Sequence, residues 1–166
     1  LPDASFTGCD IAPGAIRTAH AAATALGLAN VAFVEADLQS LQGGPYDYII
    51  AHGVYSWVPA PVRDALFALA QRSLSGNGIL FTSYNTYPGW HVRGTLREML
   101  CYHARDAEDP VEKIRIAREH LAFLEKFYAD SKTPFHATLS HEIALLKKSE
   151  DTYLLHEYLE TFNEPL

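Results

Sequence analysis

Apolar positions recur along this chain in two different rhythms. Phe6 to Cys9, Val31 to Ala36 (VAFVEA), Tyr46 to Ala51 (YDYIIA) and Ile79 to Tyr84 (ILFTSY) are short apolar runs with the length and residue types of strands. Between them lie helical patterns. Pro13 opens one that runs through Ile16, Ala19, Ala23 and Leu26 to a stop at Gly27, and Pro61 opens another with Val62, Leu66, Leu69 and Leu74 at helical spacing. Gly43-Gly44-Pro45 and Gly76-Asn77-Gly78 read as turns. Strands alternating with amphipathic helices predict a mostly parallel sheet covered on both faces, an α/β architecture.

After Val92 the short apolar runs stop. Residues 92–107 read as a helix, and Asp109-Pro110-Val111-Glu112 then supplies an N-cap, a proline at the first helical position and a glutamate at the third. The helix that follows carries Val111, Ile114, Ala117, Leu121, Leu124 and Tyr128 on one stripe, which must pack against something. Lys132 to Ala137 breaks the pattern, and two further helices are predicted, Leu139 to Lys147 and Thr152 to Phe162. The organisation predicted is an α/β portion over residues 1–108 and an all-helical C-terminal extension over 109–166. No linker rich in Pro, Gly or Ser separates the two.

Composition narrows the class. A chain of 166 residues is one domain of ordinary size or a piece of a larger one. With 48% apolar and 20% charged residues it is neither disordered nor fibrous. Thirteen basic against 20 acidic residues give a net charge of -7, which argues against a nucleic-acid backbone as the main partner. Cys9 and Cys101 read as small buried hydrophobes suited to a reducing, cytoplasmic compartment. No run of about 20 apolar residues is present to span a bilayer, and the opening LPDASFTGCD lacks the features of a signal peptide. Starting on Leu1, a few residues before a strand, the chain reads as an internal segment.

In an open parallel sheet, ligands bind beyond the carboxyl ends of the strands. The positions there are Asp10 and Ile11, Asp37 and Leu38, His52 to Trp57, and Tyr84 to His91. An ionised aspartate is an acceptor-only group, so Asp10 can accept from vicinal ribose hydroxyls; a solvated turn or a helix cap is its other reading. Asp37 can accept from the exocyclic amine of a purine while Leu38 stacks on the ring. One βαβ unit apart, the two aspartates suggest a bound nucleoside. His52-Gly53-Val54-Tyr55-Ser56-Trp57 places an imidazole, a glycine and two aromatics after an apolar strand, although core filling also accounts for Tyr55 and Trp57 and a structural role for His52. Tyr84 to His91 holds more polar and aromatic groups than a turn requires, and is the predicted substrate side.

Other patterns carry no chemistry. His156-Glu157 is followed by Glu160 and His141-Glu142 by Leu145 where a second histidine would complete a zinc pair, and His136, His141 and His156 have no ligand spacing, so no metal is predicted. Tyr128 and Lys132 have the Tyr-x-x-x-Lys spacing of short-chain dehydrogenases, but sit where a helix is expected to end before Pro134.

These residues resemble the class I S-adenosylmethionine-dependent methyltransferases, most closely a bacterial group in which a helical methyltransferase-regulatory domain follows. FTGCDIAPGAI matches the end of the family's second strand, where an acidic residue binds ribose, and VEADL matches the end of the third, where an acidic residue binds near the adenine amine. AHGVYSWVP and SYNTYPGWHVRG are the more family-specific segments, and YLLHEYLETFNEPL resembles the start of the regulatory domain. The resemblance covers essentially all 166 residues. It departs in one large respect: the family's first strand and glycine-rich loop, which cradle the methionine part of the cofactor, have no counterpart. Because that strand lies between the second and the fourth, the expected sheet is an incomplete Rossmann-like one, holding the second to fifth strands and open in the middle. Ala12 also stands where the family often has a capping serine.

The resemblance implies methyl transfer from S-adenosylmethionine by in-line displacement, with Asp10 and Ile11 at the ribose, Asp37 and Leu38 at the adenine, and His52, Gly53 and Tyr55 forming the floor beneath the cofactor. His91 and Tyr87 are the expected acceptor-handling residues. The acceptor, a small molecule or a peptide, and the oligomeric state are left open. Two alternatives stand beside this reading. One is a binding or regulatory module that keeps the fold without catalysis; the other is an NAD-dependent reductase, which would need a glycine fingerprint and a placed Tyr/Lys pair.

Overall fold

The computed structural model describes residues 1–131 and 133–166; the Tyr128/Lys132 pair and the start of the predicted break at Lys132 therefore fall partly outside the described residues. Strand β1 (Phe6–Asp10) pairs in parallel with β2 (Val31–Glu35), and β3 (Tyr46–Ala51) pairs in parallel with β4 (Leu74–Thr82). Helices α1 (Pro13–Ala25) and α2 (Ala60–Ser73) make the two crossovers, each opened by a proline in its first turn, where the missing N–H costs nothing. The chain thus contains two βαβ units.

The alternating rhythm placed these elements to within a few residues, and the sheet is open in the middle, as the resemblance implies. Among the described residues β1 bonds only to β2 and β3 only to β4. Their free edges border a cleft of about 310 Å³ lined by Thr7, Gly8 and Cys9 and by Tyr48, Ile49, Ile50 and Ala51. Side chains alternate along a strand, so consecutive residues share one cleft only when its edge faces it. Coverage is also one-sided. Leu66, Leu69 and Ala70 of α2 are buried, while Tyr48, Ile50, Ile79 and Phe81 are all more than half exposed. The register pairs Tyr48 with Ile79 and Ile50 with Phe81, so these four form one apolar face.

One local detail differs from expectation, and one strand glycine has a steric cause. Gly76-Asn77-Gly78 is not a turn before a strand but lies inside β4, where the register jumps from Tyr46↔Leu74 to Tyr48↔Ile79 and the extra residues form a bulge. Gly8 is explained by close approach: a β-carbon there would stand 2.8 Å from the Phe33 ring on β2.

The chain divides into two compact units, Leu1–Thr82 and Ser83–Leu166, so the predicted 108/109 boundary lies inside the second. That unit contains α3 (Trp90–Ala104), α4 (Pro110–Tyr128), α5 (Pro134–Leu146) and α6 (Asp151–Leu154), the last continuing as a π-helical turn over Leu155–Leu159. Helix α4 begins as the sequence predicts, with the Asp109 carboxylate accepting from Glu112 N–H at 3.2 Å. Helix α5 begins earlier than predicted: Pro134 occupies its first position and Thr133 Oγ1 accepts from His136 N–H, so the apparent break is a helix start. The predicted Thr152 to Phe162 helix stops at Leu159. Leu96 and Leu100 of α3, Leu121 of α4, Leu139 and Ile143 of α5, and Leu154 and Tyr158 form the core of this unit. Of the predicted α4 stripe, Ala117, Leu121 and Leu124 are buried, but Val111 in the first turn is exposed. No helix among the described residues is long and apolar enough to cross a membrane.

Candidate functional site

The carboxyl ends of β1 and β2 carry the same local structure. Asp10 Oδ1 accepts from Ala12 N–H at 2.8 Å, and Asp37 Oδ1 accepts from Gln39 N–H at 2.9 Å. Each is a side-chain turn that folds the chain sharply off its strand. Ala12 makes no side-chain cap to α1, and its own N–H is the one that Asp10 accepts from. Among the described residues no other hydrogen bond reaches either carboxylate, so each keeps an acceptor oxygen to offer.

Asp10 and Asp37 line one cavity of about 420 Å³, together with Ile11, Leu38 and Gly53. Its remaining wall is apolar: Ala36, Val54, Trp57, Val58 and Val62, with Cys9 at the base. Burial, and then the neighbouring Asp10 charge, push the Cys9 thiol above its usual pKa, and its S–H donates to Ala36 O at 3.3 Å. That thiol is an inert packing group tying the ends of β1 and β2. Gly53 has φ +69°, which a side chain would resist, and this brings the post-β3 loop over the cavity. Apolar walls with two convergent carboxylates suit a flat, mostly apolar ligand that presents hydroxyl or amine donors at one edge.

Not every residue predicted for the cofactor lies here. The exposed His52 ring stacks on Phe81, centroids 6.2 Å apart, and does not line the cavity. Tyr55 is likewise absent from the lining; it packs edge-on to Phe67 and beneath the Arg63 guanidinium, 5.0 Å from its ring centre. Both lie beyond the end of β3: Gly53 turns the backbone into a 3₁₀ turn over Tyr55–Trp57, and Val54, Trp57 and Val58 line the cavity instead. Trp57 falls within the predicted His52 to Trp57 stretch, with core filling as its other reading, whereas Val62 reads from sequence only as helix face.

Arg63 was missed altogether. It is only 7% exposed, and its Nε–H is shared between Tyr55 O at 2.8 Å and Val58 O at 3.0 Å. A guanidinium from α2 therefore holds the loop that supplies Trp57 and Val58. On a helix otherwise read for its leucines it gave no signal beyond being a charge near an apolar stripe.

The predicted acceptor-handling pair belongs to the second unit. Tyr87 and His91 stack with centroids 4.4 Å apart and planes inclined by 22°, Tyr87 preceding α3 and His91 in its first turn. Tyr87 N–H donates to Leu166 O and Leu166 N–H to Asn85 O, which pins the segment.

Residues 1–78 match the family model described as a methyltransferase domain. The uncharacterized protein RP789 of Rickettsia prowazekii is 41% identical over 164 residues, covering 98% of this chain and 30% of that protein. A Synechocystis protein, sll1526, is 29% identical over 168 residues, with 98% and 32% covered. Among solved structures, PKMT2 from Rickettsia typhi in complex with AdoHcy superposes with a TM-score of 0.83 at 34% identity, over 99% of this chain and 32% of that one. The chain therefore spans about a third of the length of the relatives it matches. Residues 1–78 thus belong with the methyltransferase domains, and the chain shares the fold of PKMT2 along its length.

Proposed function

We propose that the parent protein transfers a methyl group from S-adenosylmethionine, and that the cavity at the ends of β1 and β2 holds the adenosine part of that cofactor. The observation that carries this reading is the pair of matching aspartate turns, each with an acceptor left over, at the rim of one apolar cavity. The residues suit the group. Asp10 would take the ribose hydroxyls, Asp37 the adenine amine, and Ile11, Leu38 and Trp57 the faces of the base. When bound, S-adenosylmethionine supplies a methyl group activated by its sulfonium.

The protein's own residues contribute position and exclusion of water. Val54, Val58 and Val62 remove water from one side of the cavity, and Arg63 fixes the loop bearing two of its walls. Holding a reactant in a fixed geometry is itself a large rate factor. The cleft between β1 and β3, with a free strand edge on each side, supports the reading that a further strand completes the sheet in the parent chain. Tyr87 and His91 are the proposed acceptor-handling residues, as their stacked rings bring a phenol and an imidazole together; the acceptor is a small molecule or a peptide side chain. A cytoplasmic setting and the regulatory role of the helical unit belong to the same proposal.

Trp57 provides the test. It lines the cavity, whereas the other tryptophan, Trp90, is buried in the second unit. Titrating the full-length protein with AdoHcy should quench tryptophan emission saturably, and Trp57→Phe should reduce that quenching while leaving binding measurable by calorimetry. Quenching of unchanged amplitude in Trp57→Phe would place the ligand elsewhere.

A further inference from the structure

Within the second unit, a cavity of about 270 Å³ gathers basic side chains from separate elements. Arg97, Cys101 and Arg105 follow one another at four-residue spacing and so lie along one stripe of α3 and its C-cap. Lys113 comes from the first turn of α4, and Glu160 and Thr161 from the chain leaving the last helix. A cation in the first turn of a helix faces the positive end of the helix dipole, so Lys113 adds to a potential that is already positive.

The charges do not cancel. Glu160 supplies the one carboxylate among the described lining residues, against three cations, and no ion pair joins it to Arg97 or Lys113 among the described residues. Arg105 contacts Asp106 at 3.6 Å, a residue outside the lining. Arg97 is anchored by donating through Nη2 to the Glu160 carbonyl, yet its Nε–H is buried with no acceptor among the described residues. A buried donor without a partner is costly, and a guanidinium donor more so. Arg97 and Lys113 both bear on the Cys101 thiol, offsetting part of the rise in pKa that its burial causes. In a chain of net charge -7, this is a local reversal of sign.

We propose that this cavity binds a phosphate group, either free or carried on a small ligand. The Lys113 ammonium and the Arg97 guanidinium would supply charge and N–H donors and Thr161 a hydroxyl, and three donors from three elements suit a tetrahedral dianion better than a planar carboxylate. The proposal is independent of the methyl-transfer reading, as it uses none of the residues of the first unit.

Inorganic phosphate is the probe, titrated into the full-length protein by calorimetry at constant ionic strength set with sodium chloride. Saturable binding should appear, and Lys113→Gln should weaken it by about tenfold, as expected for loss of a charge-assisted contact. Lys113→Arg should restore it. Arg97→Gln should weaken binding further, with circular dichroism checking that the helices persist; Lys113→Gln keeps the test decisive if Arg97→Gln does not fold. Phenyl phosphate then separates the two sources, since a ligand-borne group should bind at least as well as the free ion. Heat no different from that of added chloride, or phosphate binding unchanged in Lys113→Gln, would overturn the proposal.

Discussion

Asp10 and Asp37 stand at corresponding ends of two neighbouring parallel strands and make the same turn, each spending one carboxylate oxygen on the N–H two residues ahead. That repeated geometry fixes the orientation of both carboxylates from the backbone, so neither needs a ligand to organise it. Pre-organised acceptors lose little freedom on binding, which is where affinity for a small polar edge is gained.

Asp37→Asn tests the role given to the second turn. Asparagine can still use its oxygen on Gln39 N–H, which turns its amide NH₂ towards the ligand. AdoHcy affinity should fall by about tenfold or more, as a charged acceptor contributes about 1.5–3 kcal/mol. The inosine analogue of AdoHcy, with an acceptor in place of the amine, should bind the variant better than it binds the wild type. Parallel losses for both ligands would remove Asp37 from the adenine edge.

Arg63→Met keeps the apolar stem on α2 and removes the donor to Tyr55 O and Val58 O. Losing that bond should cost about 1–3 kcal/mol in urea unfolding. Hydrogen exchange should quicken over Val54 to Val58, and AdoHcy binding should weaken although Arg63 is not in the cavity lining. Unchanged exchange in that loop would show that Arg63 does not position it.

The helical unit should lose stability in mild acid. His103 of α3 and His120 of α4 lie ring against ring, centroids 3.6 Å apart, with Phe123 and Tyr102 alongside. Burial first, and then the His103 charge, hold His120 below its ordinary value of 6.5. The unfolded chain therefore takes up the proton at a higher pH than the folded one, so stability rises with pH across this window. His120's contribution is present above about 6.5 and is lost as pH falls through its lower folded value. Melting temperatures at pH 7.5, 6.0 and 5.0 should fall more steeply for the wild type than for His120→Gln. Equal slopes would show that His120 does not set the acid limit.

Much of this was legible in the residues, and the exceptions have physical causes. The strand and helix alternation, the Asp109 cap and the placement of Asp10 and Asp37 follow from short-range rules that need no tertiary partner. Pro134 did not, because a proline ends one helix or opens the next depending on whether a capping group precedes it, and Thr133 does. Gly76 to Gly78 looked like a turn, yet its neighbours pair across a bulge set by the register of β3, a long-range fact. The resemblance implies His52 and Tyr55 beneath the cofactor; neither lines the cavity, because which loop residues face it depends on the positive φ of Gly53, a backbone property. Arg63 was invisible because its partners are backbone carbonyls, which have no sequence identity.

Calorimetric titration of AdoHcy into the full-length protein and its Asp10→Ala variant tests the central claim most directly. Saturable, one-to-one binding by the wild type, lost in a variant whose helical content and cooperative unfolding are retained, is the predicted result. A folded full-length protein that takes up no AdoHcy, or an Asp10→Ala variant that binds it as tightly as the wild type, would contradict the account.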